Sequence, residues 1–280
     1  MEFKDRYQFN EEEHIHTLDG KPLTGTSSVM SIVGKPGLVW WSSGLAVAEL
    51  GWTNPKFTGK SEREIVAAQR YGEISDDVFD KDGHFQPQVY LTFLDKAYAA
   101  HSKSLAKSAN KGKDMHAELE KYVKECIANW PTQTPPIAGE HFSDCPQVIA
   151  FSKWANENVE YFLFSEMHTY SEENWLGGIT DCGALMKDGK IAIIDFKSSK
   201  DAYASQFWQC GGYHIQIAEN GGFNKEGDRV FDPVNADLHI VIPFGAPEFK
   251  VVIDKDVIAN VNSFKAALHL YRENQRLTNE

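Results

Sequence analysis

Hydrophobic patterns divide the second half of the chain into regular elements. Alternating or continuous apolar runs predict strands, and apolar positions three and four apart predict helices. The predicted strands cover 159–169, 178–186, 191–197, 236–243 and 248–253. The predicted helices cover 146–158, 201–219 and about 255–274, the last with an apolar stripe at Val257, Val261, Phe264, Leu268 and Tyr271. The order α-β-β-β-α-β-β-α indicates an α/β or α+β domain.

The first half of the chain is predicted to be mainly helical. Residues 1–25 are irregular or hairpin-like, and a capping box at Ser61–Glu64 predicts a helix that ends near Tyr71. Two further helices are predicted, over roughly 87–108 and 113–128, before a proline-rich connection at 131–143. The predicted division is a helical N-terminal elaboration over 1–110 and a core over 111–280, with one continuous domain as the alternative.

Composition excludes several classes of protein. Hydrophobic residues make up 42% and charged residues 24%, which is typical of a globular chain and excludes a disordered, collagen-like or fibrous one. No run approaches the roughly 18 apolar residues that cross a bilayer, and the polar N-terminus lacks the apolar segment of a secretory signal. We therefore expect no membrane partner and a cytoplasmic location.

Two metal-site readings fail on spacing. The cysteines, at positions 126, 145, 182 and 210, form no CxxC pair, so neither a zinc or iron–sulfur site nor a disulfide framework is expected. The acidic turn Asp80–Gly83 invites a calcium-loop reading, but the first and twelfth positions of such a loop would be Val78 and Val89, where acids are required.

The strongest chemical signal is an apolar strand that ends in opposite charges. Ile191–Ile194 is followed by Asp195, Phe196 and Lys197. A three-residue loop at 187–189 pairs Met186 with Lys190 and places Asp181 directly opposite Asp195, whereas a two-residue loop would put the aspartates on opposite faces. Gly189 can supply the left-handed residue that the three-residue loop needs.

Two aspartates and a lysine on one patch suit a divalent cation. Oxygen ligands favour Mg²⁺ or Mn²⁺, which activates water and stabilises charge on phosphate. Lys197 can orient the attacking water or neutralise developing charge, and Glu166 can complete the ligand shell. A surface ion pair between Asp195 and Lys197 at a strand end is the alternative when these two residues are taken alone.

Three ordered motifs make the chain resemble the PD-(D/E)xK nuclease superfamily, closest to its RecB-like exonuclease branch. They are Gly178-Ile179-Thr180-Asp181, then Asp195-Phe196-Lys197, then Gln209-Cys210-Gly211-Gly212-Tyr213, matching GxxD, DxK and QxxxY. Upstream, the run from Gly112 to Leu119 resembles the branch's helix with a metal-site histidine, His116. Glu166 matches an acidic position before GxxD. The resemblance covers roughly residues 110–220.

The resemblance implies a restriction-endonuclease-like core, a central mixed sheet flanked by helices, and a role for each motif residue. Asp181, Asp195 and the Phe196 carbonyl would ligate the metal, with His116 and Glu166 as further ligands. Lys197 would be the catalytic lysine, with Gln209 and Tyr213 beside it on one helix face. Alternatives are a polar helix residue for His116, a solvent-facing strand end for Glu166 and a core aromatic for Tyr213. No cysteine follows Cys210, so no iron–sulfur cluster is expected.

A net charge of −12 opposes general nucleic-acid binding, so contact with DNA requires a local basic surface. Residues 96–124 carry seven lysines against three acids, and Lys96, Lys103 and Lys107 share a helix face. These lysines, with Lys111 and Lys113, are the predicted phosphate contacts, and a solvated helix face is the alternative. Trp40 and Trp41 could stack on bases or belong to the core.

The sequence therefore predicts a Mg²⁺-dependent deoxyribonuclease, with Mn²⁺ as a substitute metal, that hydrolyses phosphodiester bonds at single- or double-stranded DNA ends. The motif set resembles stand-alone phage or bacterial recombination and repair exonucleases, in host cytoplasm if phage-encoded. A single-strand annealing or binding protein and a second copy of the chain are the expected partners. The alternatives are a structure-specific endonuclease, a non-catalytic DNA-binding or assembly protein, and a metal-independent hydrolase with two carboxylates.

Overall fold

The computed structural model of the protein describes residues 6–34, 42–46, 79–129 and 143–278, without the side chains of Phe93 and 105–113. The chain divides into two compact units. The larger comprises Met1–Val33 and Gly112–Glu280, and the smaller comprises Gly34–Lys111. The division near residue 111 lies close to the predicted boundary, but residues 1–33 belong to the larger unit because their strands pack on its sheet.

The described elements follow the order β-β-β-β-α-α-α-β-β-β-α-β-β-β-β-α. The strands are β1 (Tyr7–Asn10), β2 (Ile15–Leu18), β3 (Lys21–Pro22), β4 (Thr24–Gly25), β5 (Val159–Ser171), β6 (Leu176–Met186), β7 (Ile191–Lys197), β8 (Gly222–Phe223), β9 (Arg229–Phe231), β10 (Leu238–Pro243) and β11 (Val252–Asp254). The helices are α1 (Thr26–Val29), α2 (Pro87–Ala128), α3 (Pro146–Asn158), α4 (Ala204–Asn220) and α5 (Val257–Thr278), and a 3₁₀ turn at Met30–Ile32 follows α1.

A mixed sheet of eight strands forms the centre of the larger unit. Its strand order is β11-β10-β7-β6-β5-β8-β9, and β4 pairs with β6 off this path. The β7–β10 and β4–β6 pairs are parallel and the others are antiparallel. Helices flank the sheet, so the chain is a mixed α/β protein as the hydrophobic pattern predicts. A separate sheet, β1-β2-β3, precedes it.

The β6–β7 hairpin has the predicted register. Met186 accepts the turn hydrogen bond from the Gly189 amide, Gly189 has φ +83°, and Cys182 pairs with Ile194. The three-residue loop therefore places Asp181 at the level of Asp195. Strand β7 is buried from Ala192 to Phe196 because β6 and β10 cover its edges and helices cover its faces, which explains its continuous apolar run.

The predicted pair of helices over 87–108 and 113–128 is wrong: residues 87–128 form one helix, α2. Gly112, between the two predicted helices, is accommodated because one glycine costs a helix interior only about 1 kcal/mol. The short β8–β9 hairpin was not predicted, since two- and three-residue strands carry almost no periodic signal. The helix predicted from Ser61 and most of the connection at 131–143 lie outside the described residues. Among the described helices, none has the length and apolarity needed to cross a bilayer.

Candidate metal centre

Three acidic residues lie at one level across three neighbouring strands. In the β5–β6 ladder, the pairs Ser165–Cys182 and Met167–Thr180 place Glu166 opposite Asp181. In the β6–β7 ladder, the last pair, Cys182–Ile194, brings Asp195 to the same level. Two register shifts in β5, between Val159 and Phe164, bring Glu166 into this row.

The row lies where one edge of β6 is uncovered. Strand β5 follows the other edge of β6 along its length, while β4 pairs only as far as Gly177 and β7 only from Cys182. Among the described strands, none pairs with this edge between those points. Asp181 fills the gap with its side chain, because its Oδ2 accepts a hydrogen bond of 2.7 Å from the Phe196 amide. The Asp181 side chain is 15% exposed, so solvent reaches this edge of the site.

A histidine from α2 joins two of the acids. The ligand atoms of His116, Glu166 and Asp181 all lie within 4.8 Å of one another, and His116 Nδ1 is 3.9 Å from Asp181 Oδ2. Burial and then the positive charge of Lys197 lower the pKa of His116, so the ring is neutral and able to bind a cation. The ring lies edge-on to the Phe196 ring, with the ring centroids 6.1 Å apart.

Glu166 combines a strained backbone conformation with a raised side-chain pKa. Its φ of +48° lies in the left-handed region that glycine favours. Burial, followed by the negative charges of Asp181 and Glu120, raises the pKa of Glu166 to about 8. Backbone strain together with crowded negative charge is typical of functional sites, and a bound cation would relieve the charge repulsion.

Asp195 and Lys197 form the second half of the site. Lys197 Nζ lies 2.6 Å from Asp195 Oδ2, and the Asp195 side chain is 2% exposed. Asp195 Oδ1 has no hydrogen-bond partner among the described residues. Burial raises the pKa of Asp195 to about 6 against the lowering effect of Lys197. Burial lowers the pKa of Lys197, but Asp195 and Asp181 together outweigh it and keep the amine protonated. The alternative of an exposed surface ion pair is wrong, because the carboxylate is buried.

Helix α4 brings two more predicted residues beside the carboxylates. Gln209 Nε2 donates to the Tyr213 hydroxyl at 2.7 Å. Burial, and then the charges of Asp195 and Asp181, raise the pKa of Tyr213 well above its ordinary value. Tyr213 therefore stays protonated. The buried Cys210 follows Gln209 directly and precedes Tyr213 by three residues, and burial raises the pKa of its thiol.

Of the predicted DNA contacts, the structure describes the side chains of Lys96 and Lys103 alone. Lys96 and Lys103 are exposed on the part of α2 that belongs to the smaller unit. The side chains of Lys107, Lys111 and Lys113, together with Trp40 and Trp41, lie outside the described residues. The contacts of all seven residues with DNA stay predictions.

Two charged residues that act on Glu166 were not predicted from the sequence. Glu120 and Lys124 form an ion pair on α2, one and two turns after His116, and their charges act on Glu166. The spacing of four residues from His116 was the available signal, because it places all three on one helix face. Phe244 was also missed, and its ring lies 5.3 Å from the His116 ring.

The donors present suit a divalent cation. A ligand set of one imidazole and two or three carboxylates is suitable for Mn²⁺. The carboxylates alone are also suitable ligands for Mg²⁺. A second group, Asp80, Asp82 and His84, also has its ligand atoms within 4.8 Å, but all three residues are exposed. Asp80 Oδ1 already accepts hydrogen bonds from the amides of Asp82 and His84, which is the geometry of a polar turn.

Comparisons of the chain with protein-family models and with curated proteins find no match.

The raised pKa of Glu166 leads to a pH-dependent stability. Between its ordinary pKa near 4.5 and its folded pKa of about 8, the folded state holds a proton that the unfolded state releases. Stability of the metal-free protein must therefore fall as pH rises through this window. We expect Glu166→Gln to flatten the fall by a few degrees of Tm, measured by thermal unfolding in chelator from pH 5 to 9. Glu160→Gln, exposed on the same strand, is the control, and equal pH profiles for wild type and Glu166→Gln would contradict the assignment.

Proposed function

We propose that the protein is a metal-dependent deoxyribonuclease that acts on DNA ends, built on a restriction-endonuclease-like core. The observation that carries the proposal is the convergence of Glu166, Asp181 and Asp195 from three adjacent strands, with a protonated Lys197 at 2.6 Å from Asp195. The order of the GxxD, DxK and QxxxY motifs adds support. A non-catalytic relative would have no evident need for a buried aspartate paired with a lysine.

Each residue has a distinct task in this proposal. Asp181, Glu166 and His116 would hold a divalent cation, with Asp195 and the Phe196 carbonyl able to complete its shell. The cation would lower the pKa of bound water and offset charge on the scissile phosphate. Lys197, protonated between two carboxylates, can donate a hydrogen bond to the attacking water or to a phosphate oxygen. Gln209, which is half-buried and held by the buried Tyr213, can donate a hydrogen bond to the DNA backbone.

The amine of Lys197 has a limited choice of partners. In the metal-free protein it is paired with Asp195, and a cation bound by the carboxylates would weaken that pairing through its own positive charge. The amine would then be available to the phosphate. Substrate and metal therefore bind to a site whose positive group is already in place, which lowers the reorganisation needed for hydrolysis.

The test is hydrolysis of end-labelled linear and of circular DNA, both single- and double-stranded, with Mg²⁺, with Mn²⁺ and with chelator. We expect metal-dependent loss of linear DNA that Asp195→Asn abolishes and Asp188→Asn leaves unchanged. Asp188 is the matched control because it is an exposed carboxylate on the turn of the same hairpin. Cutting of circles would change the proposal to an endonuclease. Hydrolysis of none of these DNAs under any condition would contradict it.

A further inference from the structure

A buried network of hydroxyl and amide groups links the N-terminal segment to helix α4. Thr26, at the start of α1, is 1% exposed, and Gln216 on α4 is fully buried. Gln216 Nε2 donates to Thr26 Oγ1 at 2.6 Å and to the Gly212 carbonyl at 2.9 Å. Thr26 Oγ1 in turn donates to the Gly177 carbonyl at 3.1 Å. One side chain from residues 1–33 thus joins strand β6 to helix α4.

The network closes on strand β5 through a second threonine. Thr169 Oγ1 lies 3.1 Å from Gln216 Oε1 and 3.3 Å from the Gly178 carbonyl. Its single proton can satisfy only one of these acceptors at a time. Every donor on Gln216 and Thr26 is used, and buried networks of this kind hold their members in one arrangement because a broken bond leaves a buried polar group unpaired.

Thr26 also packs against two glycines near the candidate metal centre, Gly178 on β6 and Gly212 on α4. A Cβ added to Gly178 would lie 2.9 Å from both Thr26 Oγ1 and Tyr213 Cε1. A Cβ added to Gly212 would lie 2.7 Å from Thr26 Cγ2. Gly178 is three residues before Asp181 and Gly212 immediately precedes Tyr213. Thr26 therefore occupies the space between the strand that carries the aspartate and the helix that carries the tyrosine.

We propose that Thr26, acting through Gln216, is a positioning residue that sets the separation of β6 from α4 and so the placement of Asp181 relative to Tyr213. Its catalytic consequence rests on the proposed nuclease function. The backbone of β6 needs support at this point, because β4 pairs with this edge only as far as Gly177 and β7 only from Cys182. A shift of about 1 Å at a reacting centre can lower a rate by about 10²-fold.

The test separates the hydroxyl of Thr26 from its methyl group. Thr26→Val keeps the shape but leaves Gln216 Nε2 without its acceptor, whereas Thr26→Ser keeps the hydroxyl. Thr169→Val breaks the network at β5 without altering α1, so it serves if Thr26→Val does not fold. Thr92→Val, at an exposed hydroxyl on α2, is the control for the substitution itself.

The first readout needs no activity. The side-chain amide of Gln209 donates to Tyr213, so its NMR resonance in the metal-free protein reports the geometry of the site. We expect Thr26→Val and Thr169→Val to shift this resonance, and Thr26→Ser and Thr92→Val to leave it in place. An unshifted Gln209 resonance in a folded Thr26→Val protein would overturn the proposal, even with a lower Tm, because a merely structural role predicts lost stability alone.

The second readout is kinetic. At a temperature well below the Tm of each variant, we expect Thr26→Val to lower kcat for DNA hydrolysis by about 10-fold to 10²-fold with KM unchanged, and Thr26→Ser to restore it. Wild-type protein that hydrolyses no DNA would refute the proposed function but not the positioning role, which the Gln209 resonance decides alone. Wild-type kcat in Thr26→Val would refute the catalytic consequence of the positioning.

Discussion

Replacing Asp181 by asparagine is expected to lower metal-dependent DNA hydrolysis by about 10³-fold. Asp181 contributes to every part of the site: its carboxylate lies near His116 and Glu166, and its Oδ2 accepts the Phe196 amide. Asparagine keeps an oxygen for that amide but is a neutral and weaker ligand. The loss should therefore come from metal binding, with the hairpin intact.

The same substitution should stabilise the metal-free protein. Burial raises the pKa of Asp181, so its ionised form costs stability at neutral pH and a neutral amide removes that cost. We would measure hydrolysis, Mn²⁺ binding by calorimetry and Tm in chelator, beside Asp188→Asn. A higher metal-free Tm with weaker Mn²⁺ binding fits the site described above. Mn²⁺ binding equal to wild type would remove Asp181 from the metal site.

Replacing Lys197 by methionine is expected to separate metal binding from hydrolysis. Methionine fills a similar volume without a charge, so kcat should fall by about 10²-fold to 10³-fold. Asp195 and Asp181 would lose the Lys197 ammonium group, whose charge now lowers the pKa of both carboxyl groups. A divalent metal would supply the missing positive charge. Mn²⁺ should therefore bind at least as tightly as in the wild type and raise Tm by a larger amount.

Lys190→Met is the matched control for this prediction. Lys190 precedes the first residue of the same strand, β7, and pairs with Asp188 at an exposed turn, so its loss removes an equal charge away from the site. Single-turnover hydrolysis at saturating DNA and metal isolates the chemical step from binding. A Lys197→Met protein with a wild-type single-turnover rate would show that the amine takes no part in hydrolysis. Weakened Mn²⁺ binding would show that it supports the ligands instead.

Local rules were sufficient for the β6–β7 hairpin. A three-residue loop with Gly189 in the left-handed region defines the pairing of Met186 with Lys190, and strand periodicity carries that register to Asp181 and Asp195. Each step depends on neighbours a few residues apart. The continuous apolar run of β7 likewise indicated a central strand, because only burial on both faces tolerates such a run.

The remaining site residues depended on contacts between distant segments. Glu166 reaches the level of Asp181 only after two register shifts in β5. No residue type in 159–164 indicates those shifts in the sequence. His116 lies on α2, more than forty residues before the first residue of β5, and its distance from Asp181 follows from packing of α2 on the sheet. Periodicity could indicate a helix there but not which of its turns faces the carboxylates.

From residue 146 on, the sequence by itself determined the order of elements apart from β8 and β9, the hairpin register and the pairing of Asp195 with Lys197, because turn chemistry and side-chain period act over short distances. Tertiary structure alone decided that Asp195 is buried, that His116 and Glu166 join Asp181, and that Thr26 lies between Gly178 and Gly212. These are properties of packed layers. Burial and close approach arise only when segments far apart in the chain meet, so no local pattern encodes them.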